Sequence, residues 1–142
     1  MKILIAVDGS KSSLGAVDCV IDHADWYREK PEVELVTVHL PVPKLPRMGM
    51  AVGKAQIERY YEEEGQQSLA AAKKKLDAAG IRYQGRILIG DIAESIVRQA
   101  KSERCDMICI GTRGMTAVGK ALIGSTASKV LQISDVPVLL VK

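Results

Sequence analysis

The sequence predicts one α/β domain with a parallel sheet and helices on both faces. Five short apolar runs alternate with four segments of helical periodicity over 142 residues, and this alternation is typical of parallel strands joined by helical crossovers. The first run, residues 2–7, is almost continuously apolar, as in a central strand covered on both faces. The length also suits a single domain.

Two strands and two helices are predicted in the first half of the chain. Residues 33–40 are rich in β-branched side chains, which favour a second strand. Apolar residues recur at helical spacing over residues 11–28 and again over residues 54–79, before Gly80, a residue favoured after a helix end. The buried stripe of the second helix is predicted to comprise Ile57, Tyr61, Ser68, Ala72 and Leu76. Between strand and helix, residues 41–53 form a long loop whose role is left open.

The second half continues the alternation. Strands are predicted at residues 86–89, 106–110 and 136–142, with helices between them. Asp91 followed by Glu94 is a variant of the capping box, which marks the start of the third helix. The last helix is predicted over residues 127–133.

Composition excludes several functions. The chain has a net charge of +3, no Phe and one Trp, so neither a strong basic surface nor aromatic platforms favour nucleic acid. No apolar stretch approaches a membrane span, and the first residues do not resemble a signal peptide, so we expect a cytoplasmic protein without membrane contact. Cys19, Cys105 and Cys109 are odd in number and lack metal-binding spacing, which predicts free thiols. His23 and His39 have no catalytic partner nearby in sequence and are interpreted as structural.

Residues 111–126 have the layout of an anion site. Glycines follow the fourth strand, and the hydroxyl residues Ser125 and Thr126 precede the last helix. Backbone N–H groups of such a loop and of a helix start can bind phosphate, although the glycines could equally serve tight turns. Gly119 to Thr126 lacks the lysine of a P-loop, so a P-loop ATPase is rejected.

Asp8 follows the first strand directly. In open α/β sheets, ligands bind beyond the carboxyl ends of the strands where the strand order reverses. If the first and fourth strands are neighbours there, Asp8 and the glycine loop face one crevice. Alternatively, Asp8 and Ser10 only cap the first helix.

A known family shares these motifs. Two residues separate Gly111 from Gly114, nine separate Gly114 from Gly124, and Ser125 follows. This spacing resembles the glycine signature of the nucleotide-binding universal stress proteins. Three further segments are similar to that family: ILIAVDGSKSS, GDIAESIV and ASKVLQISDVPVLLVK.

The resemblance implies a Rossmann-like sheet of strand order 3-2-1-4-5, a homodimer, and ATP bound between strands one and four. It implies that Asp8 contacts the ribose and a phosphate-bound Mg²⁺, and that Val38 contacts adenine. The residues implied to line the nucleotide site are Ala6, Val7, Asp8, Val38, Gly111, Arg113, Gly114, Gly124, Ser125 and Thr126.

Three functions are compatible with these residues. The first is an ATP-binding stress or signalling module, because no residue stands out as a general base. The second is a slow ATPase or phosphotransferase, and the third is a dimeric scaffold without nucleotide. The apolar run from Val136 to Val141 ends the printed chain; as an exposed edge strand, it is expected to pair with a second copy.

Overall fold

The computed structural model describes residues 1–42, 53–112 and 123–142. It contains one five-stranded parallel sheet of order β3-β2-β1-β4-β5, which confirms the predicted fold and strand order. The strands are β1 (Lys2–Ala6), β2 (Glu32–His39), β3 (Tyr83–Ile89), β4 (Met107–Gly111) and β5 (Val138–Val141).

Four helices connect the strands and cover both faces of the sheet. They are α1 (Lys11–Asp22), α2 (Lys54–Ala79), α3 (Ile92–Ser102) and α4 (Ser125–Ile133), with a short 3₁₀ turn at Ala24–Trp26. Within the described ranges, no helix combines the length and apolarity needed to cross a membrane.

The bounds of α2 agree with the prediction, and Gly80 closes the helix in the left-handed conformation with φ of 62°. Other bounds differ. The predicted helix over residues 11–28 ends at Asp22, and β3 begins three residues earlier than predicted, at Tyr83. Helix α4 begins at Ser125, so the hydroxyl pair belongs to its first turn.

Each face of the sheet has its own core. Ile3, Ile5 and Leu35 pack against α1 and α2, whereas Leu4 and Val36 pack against α3 and α4. Because successive strand residues point to opposite faces, the continuous apolar run of β1 supplies both cores. A central strand that is covered on both faces therefore needs consecutive apolar residues, as β1 has.

The buried stripe of α2 differs from its prediction at four positions. Gly65 and Leu69 are buried, whereas Ser68 and Ile57 are only partly covered. Gly65 allows the helix to approach β3 closely, since a Cβ atom there would lie 2.5 Å from Ile87 Cδ1. A periodicity argument based on apolar side chains could not count a glycine as a core residue.

An ion-pair network around one buried carboxylate lies at the amino end of the sheet. Glu34 of β2 is fully buried, and its Oε1 accepts hydrogen bonds from Arg86 Nε (3.1 Å) and Gln99 Nε2 (2.8 Å). Lys2 Nζ lies 3.7 Å from Glu34 Oε2 and donates to Glu103 at 2.7 Å. Two cations and two carboxylates therefore neutralise each other beneath α3.

Candidate functional site

The predicted crevice lies at the carboxyl ends of β1 and β4. These strands are neighbours at the centre of the sheet, with Ala6 paired to Ile110. The chain leaves β1 towards α1 on one face, and it leaves β4 towards α4 on the other. Strand order reverses at this point, so the fold places the ends of both strands where α/β proteins bind ligands.

Asp8 belongs to a tight turn between β1 and α1. Its Oδ1 accepts a hydrogen bond from Ser10 N at 3.0 Å, and Gly9 allows the turn by adopting a φ of 81°. Ser10 is the residue that caps α1, because its hydroxyl accepts from Ser13 N at 3.2 Å. The structure thus assigns the cap to Ser10, while Asp8 shapes the turn before it.

Ser13 holds the same turn from inside α1, although it was not predicted as a site residue. Asp8 N donates to Ser13 Oγ at 3.3 Å, and the Ser13 hydroxyl donates to the carbonyl oxygen of Ser10 at 2.9 Å. Ser13 is buried. The Asp8 carboxylate is therefore held by the backbone N–H of Ser10, and the Asp8 backbone is held by the hydroxyl of Ser13.

Gly111 ends β4 directly beneath the start of α1. A Cβ atom at this position would lie 2.5 Å from the carbonyl oxygen of Ser12 and 2.7 Å from its carbonyl carbon. Because these are backbone atoms, they cannot rotate away from a methyl group. Gly111 therefore has a packing role, whether or not a ligand also approaches it.

The two ends of the glycine-rich segment are held together. Gly124 N donates to the carbonyl oxygen of Thr112 at 2.6 Å, and Thr112 N donates to the carbonyl oxygen of Val141 at 2.7 Å. Thr112 is buried, yet no pattern in the sequence distinguishes it from its neighbours. These bonds place the first turn of α4 beside the end of β4.

The helix starts at this edge of the sheet are capped differently. Ser10 caps α1, and Asp91 caps α3 by accepting from Glu94 N at 3.1 Å. Helix α4 begins after Gly124, which, like Gly53 before α2, provides no side-chain cap. The φ of Gly124 is −71° and its ψ is 161°, a conformation that any residue adopts. Backbone conformation therefore does not explain the glycine.

The other predicted residues occupy different positions around the crevice. Ala6 and Val7 are buried on opposite faces of β1, and Val38 is half-buried near the end of β2 on the α3 face. Ser125 is exposed and Thr126 is half-buried. Arg113 and Gly114 lie outside the described residues.

The described residues contain no group of three or more His, Cys, Asp or Glu side chains that could hold a metal ion. Burial raises the pKa of the Cys105 thiol to about 11 and that of Cys109 to about 12, so both are protonated at neutral pH. All three cysteines are free, as predicted. His39 packs near Tyr61, with 6.2 Å between ring centroids.

The parallel sheet of order β3-β2-β1-β4-β5, with helices on both faces, defines a doubly wound α/β protein whose strand order reverses between β1 and β4. The model of the universal stress protein family matches residues 1–142. The chain belongs to the universal stress protein family.

Individual relatives agree with this assignment. The chain is 33% identical over 141 residues to the universal stress protein MJ0531 of Methanocaldococcus jannaschii, covering 99% of this chain and 81% of the relative. It also resembles the solved structure of MJ0577 from the same organism, with 29% identity, a TM-score of 0.81, and coverage of 99% and 94%. An Arabidopsis thaliana family member solved with AMP bound shares the fold, with 17% identity, a TM-score of 0.71, and coverage of 100% and 91%.

Proposed function

We propose that this protein binds ATP in the crevice between β1 and β4 and acts as a nucleotide-dependent stress or signalling module in the cytoplasm. The start of α4 carries this proposal. Gly124 has an ordinary backbone conformation and leaves α4 without a side-chain cap. A phosphate would accept hydrogen bonds from the N–H groups that a cap would otherwise cover, and the helix dipole would favour its charge.

The neighbouring residues suit the rest of a nucleotide. Ser125 and Thr126 form the first turn of α4, where their hydroxyl groups could donate to phosphate oxygens. Val38 offers a half-buried apolar surface for adenine beside the crevice. Arg113 and Gly114 are proposed to complete the phosphate site, as the glycine spacing indicates.

Family membership supports the same assignment. The Arabidopsis relative holds AMP on the same fold, although at 17% identity the likeness extends to the fold alone. The glycine spacing and the uncapped helix belong to this chain itself. ATP, rather than AMP, is proposed because two hydroxyl residues and several N–H groups are available for more than one phosphate.

Asp8 is the proposed partner of a phosphate-bound Mg²⁺. Magnesium is commonly held by one or two carboxylates together with substrate phosphates, while retaining several waters. The turn fixes Asp8 through Ser10 N and Ser13. A single carboxylate beside the phosphate site therefore fits this ion without a protein metal cluster.

We further propose that β5 pairs with a second copy of the chain. It lies at the end of the sheet, and all four of its residues are only half-buried. The carbonyl groups of Pro137 and Val141 accept hydrogen bonds from Ile108 N of β4 and from Thr112 N directly after it. Since strand residues alternate in direction, the N–H and carbonyl groups of Val138 and Leu140 face the open edge.

The test is a comparison of two equivalent glycine substitutions. ATP at 100 times its dissociation constant should stabilise the wild type by roughly 2.7 kcal/mol. Gly124→Asp would place a carboxylate over the start of α4, where it caps the helix and repels phosphate, so this stabilisation should disappear. Thermal unfolding with and without Mg·ATP measures the effect.

Gly53→Asp is the matched control. Gly53 precedes α2 with φ of −63° and ψ of 149° and also provides no side-chain cap. The same substitution there should leave the ATP-induced shift intact. Asp8→Asn should weaken binding of Mg·ATP more than binding of ATP in chelator. An undiminished shift for Gly124→Asp would contradict the proposed site, and a wild type that ATP does not stabilise would indicate a scaffold without nucleotide.

A further inference from the structure

We infer that nucleotide binding and pairing of β5 with a second copy are coupled through the backbone of Thr112. The inference rests on the proposed function, because it concerns how the ATP site and the open edge of β5 influence each other. It predicts that each copy of the dimer binds ATP more tightly than the monomer does. It equally predicts that ATP strengthens the dimer.

A continuous pair of hydrogen bonds connects the two places. Thr112 N donates to the carbonyl oxygen of Val141, at the end of β5, at 2.7 Å. The carbonyl oxygen of Thr112 accepts from Gly124 N at 2.6 Å. One buried peptide segment therefore joins the end of β5 to the residue that begins α4, so a displacement of β5 would displace the proposed phosphate site.

Helix α1 provides a second connection from the same strand. A Cβ atom on Gly15 would lie 3.9 Å from the carbonyl oxygen of Lys142 and 4.0 Å from Val141 Cγ1, so α1 passes directly over the end of β5. The first turn of α1 holds Asp8 through Ser13. The elements on both sides of the crevice therefore contact the end of β5, at Val141 and Lys142.

The end of β5 is held weakly in a single copy. The strand has four residues, all half-buried, and among the described residues β4 is its one partner strand. Short edge elements with little burial open at low free-energy cost. A second strand bound to the open edge would restrain β5 and, through Thr112, hold α4 in the arrangement that binds phosphate. Binding of ATP to the dimer would then cost less conformational entropy, because β5 and the start of α4 would already be ordered.

The coupling must be reciprocal. If pairing increases ATP affinity by some factor, saturating ATP must strengthen pairing correspondingly, because both binding reactions share one thermodynamic cycle. Couplings of this kind are typically about 5- to 150-fold. We expect the change per site to fall within that range.

Two measurements on the wild type test the coupling. The dimer dissociation constant is obtained by sedimentation over a dilution series, without nucleotide and with saturating Mg·ATP. The ATP dissociation constant is obtained by equilibrium dialysis with radiolabelled ATP at protein concentrations below and above dimer formation. We expect both dissociation constants to fall. The change in the free energy of dimerisation should equal the change in the free energy of ATP binding summed over the two sites.

Leu140→Pro and Leu140→Ala form a matched pair that isolates the open edge. Both remove the leucine side chain, but only proline removes the N–H group that faces away from β4, and proline is tolerated on edge strands in that orientation. Leu140→Pro should be monomeric and bind ATP about 5- to 150-fold more weakly than Leu140→Ala at concentrations where the latter is dimeric.

The possible outcomes separate the inference from the proposed function. Equal ATP affinity in monomer and dimer would overturn the coupling and leave the ATP site in place. A chain that binds ATP but stays monomeric at every concentration would overturn the coupling and the proposed dimer. Absence of ATP binding at all concentrations would overturn the coupling together with the proposed function. A monomeric Leu140→Pro variant that binds ATP as tightly as dimeric Leu140→Ala would also overturn the coupling, whereas an ATP affinity equal to that of the dilute wild-type monomer would support it.

Discussion

The two ends of the sheet accommodate polar groups in different ways. At the amino end, Glu34 is fully buried and paired with Arg86, while Lys2 and Glu103 pair beside it. At the carboxyl end, Asp8 accepts from the backbone N–H of Ser10. The first end is a closed set of side-chain charges, whereas the second consists of turns and helix starts.

This difference distinguishes a structural arrangement from one suited to a ligand. A buried carboxylate must have its own partners, since an isolated charge in the interior is very costly. Helix starts at the sheet edge carry unpaired N–H groups that a ligand can share with the protein. Changes at the amino end should therefore alter stability alone, and changes at the carboxyl end should also alter binding.

The largest effect is expected from Arg86→Met at the amino end. It removes the closest cationic partner of a fully buried carboxylate, leaving Glu34 with Gln99 and the more distant Lys2. Removing one member of a buried ion pair typically costs about 3–5 kcal/mol, but the Arg86 side chain is 45% exposed, so water can partly solvate the carboxylate that is left. We expect a loss near the lower value in urea unfolding, with ATP affinity unchanged.

A second substitution provides the control for this charge effect. Adding Glu34→Leu to Arg86→Met removes the buried carboxylate and should recover most of the lost stability, because apolar replacements of buried ion pairs are often neutral or stabilising. If the double variant is as unstable as the sum of the single variants, packing rather than charge explains the loss. A change in ATP affinity would contradict the separation between the two ends.

A smaller loss of stability is expected from adding one methyl group at either of two closely packed glycines. Gly111→Ala would place Cβ 2.5 Å from the carbonyl oxygen of Ser12, and Gly65→Ala would place it 2.5 Å from Ile87 Cδ1. Overpacking typically costs about 1–3 kcal/mol. We expect both variants to lose stability of this order in urea unfolding.

The two alanine variants should differ in binding. Gly111→Ala pushes on the first turn of α1, which carries the Asp8 turn, so its ATP affinity should fall. Gly65→Ala changes the contact between α2 and β3 and should retain wild-type affinity. Equal ATP affinities in the two variants would indicate that the packing of Gly111 does not position the site.

The sequence predicted elements whose determinants are local. Helix α2 was predicted with its observed bounds because a long periodic segment ends at Gly80, which takes the left-handed conformation. The strand order was implied by the family resemblance rather than by local pattern. The first three residues of β3, Tyr83 to Gly85, were missed because Gln84 and Gly85 are exposed at the edge of the sheet, where no apolar run marks a strand.

Features that depend on distant residues could not be predicted. Glu34 looks like an ordinary polar residue of an alternating strand, but its partner Arg86 lies 52 positions away. Thr112 has its role through backbone bonds to Val141 and Gly124, which no side-chain pattern reveals. A glycine is favoured where φ is positive, but Gly124 has an ordinary φ of −71°, which only the structure reveals.

The smallest effect on stability is expected at the solvent-exposed ion pair between Asp91 and Lys129. Asp91 caps α3 at the carboxyl end of the sheet, and Lys129 Nζ of α4 donates to it at 3.0 Å. The N–H of Glu94 and then the Lys129 ammonium lower the pKa of Asp91 from its usual value of 3.8. Both side chains are largely exposed, so solvent screens the pair.

The lowered pKa fixes how Asp91 contributes to stability as pH changes. The carboxylate stabilises the fold above its unfolded pKa, and the contribution is lost as pH falls through the lower pKa of the folded state. Asp91→Asn keeps a good cap but removes the charge, so its melting temperature should lie within about 2 °C of the wild type at pH 7. The difference should vanish once the pH falls below the lowered pKa of Asp91 in the folded state, and it should shrink in high salt. A difference in melting temperature that persists at low pH would mean that the asparagine disturbs the cap itself. A loss of stability as large as that of Arg86→Met would contradict the expected contrast between exposed and buried charges.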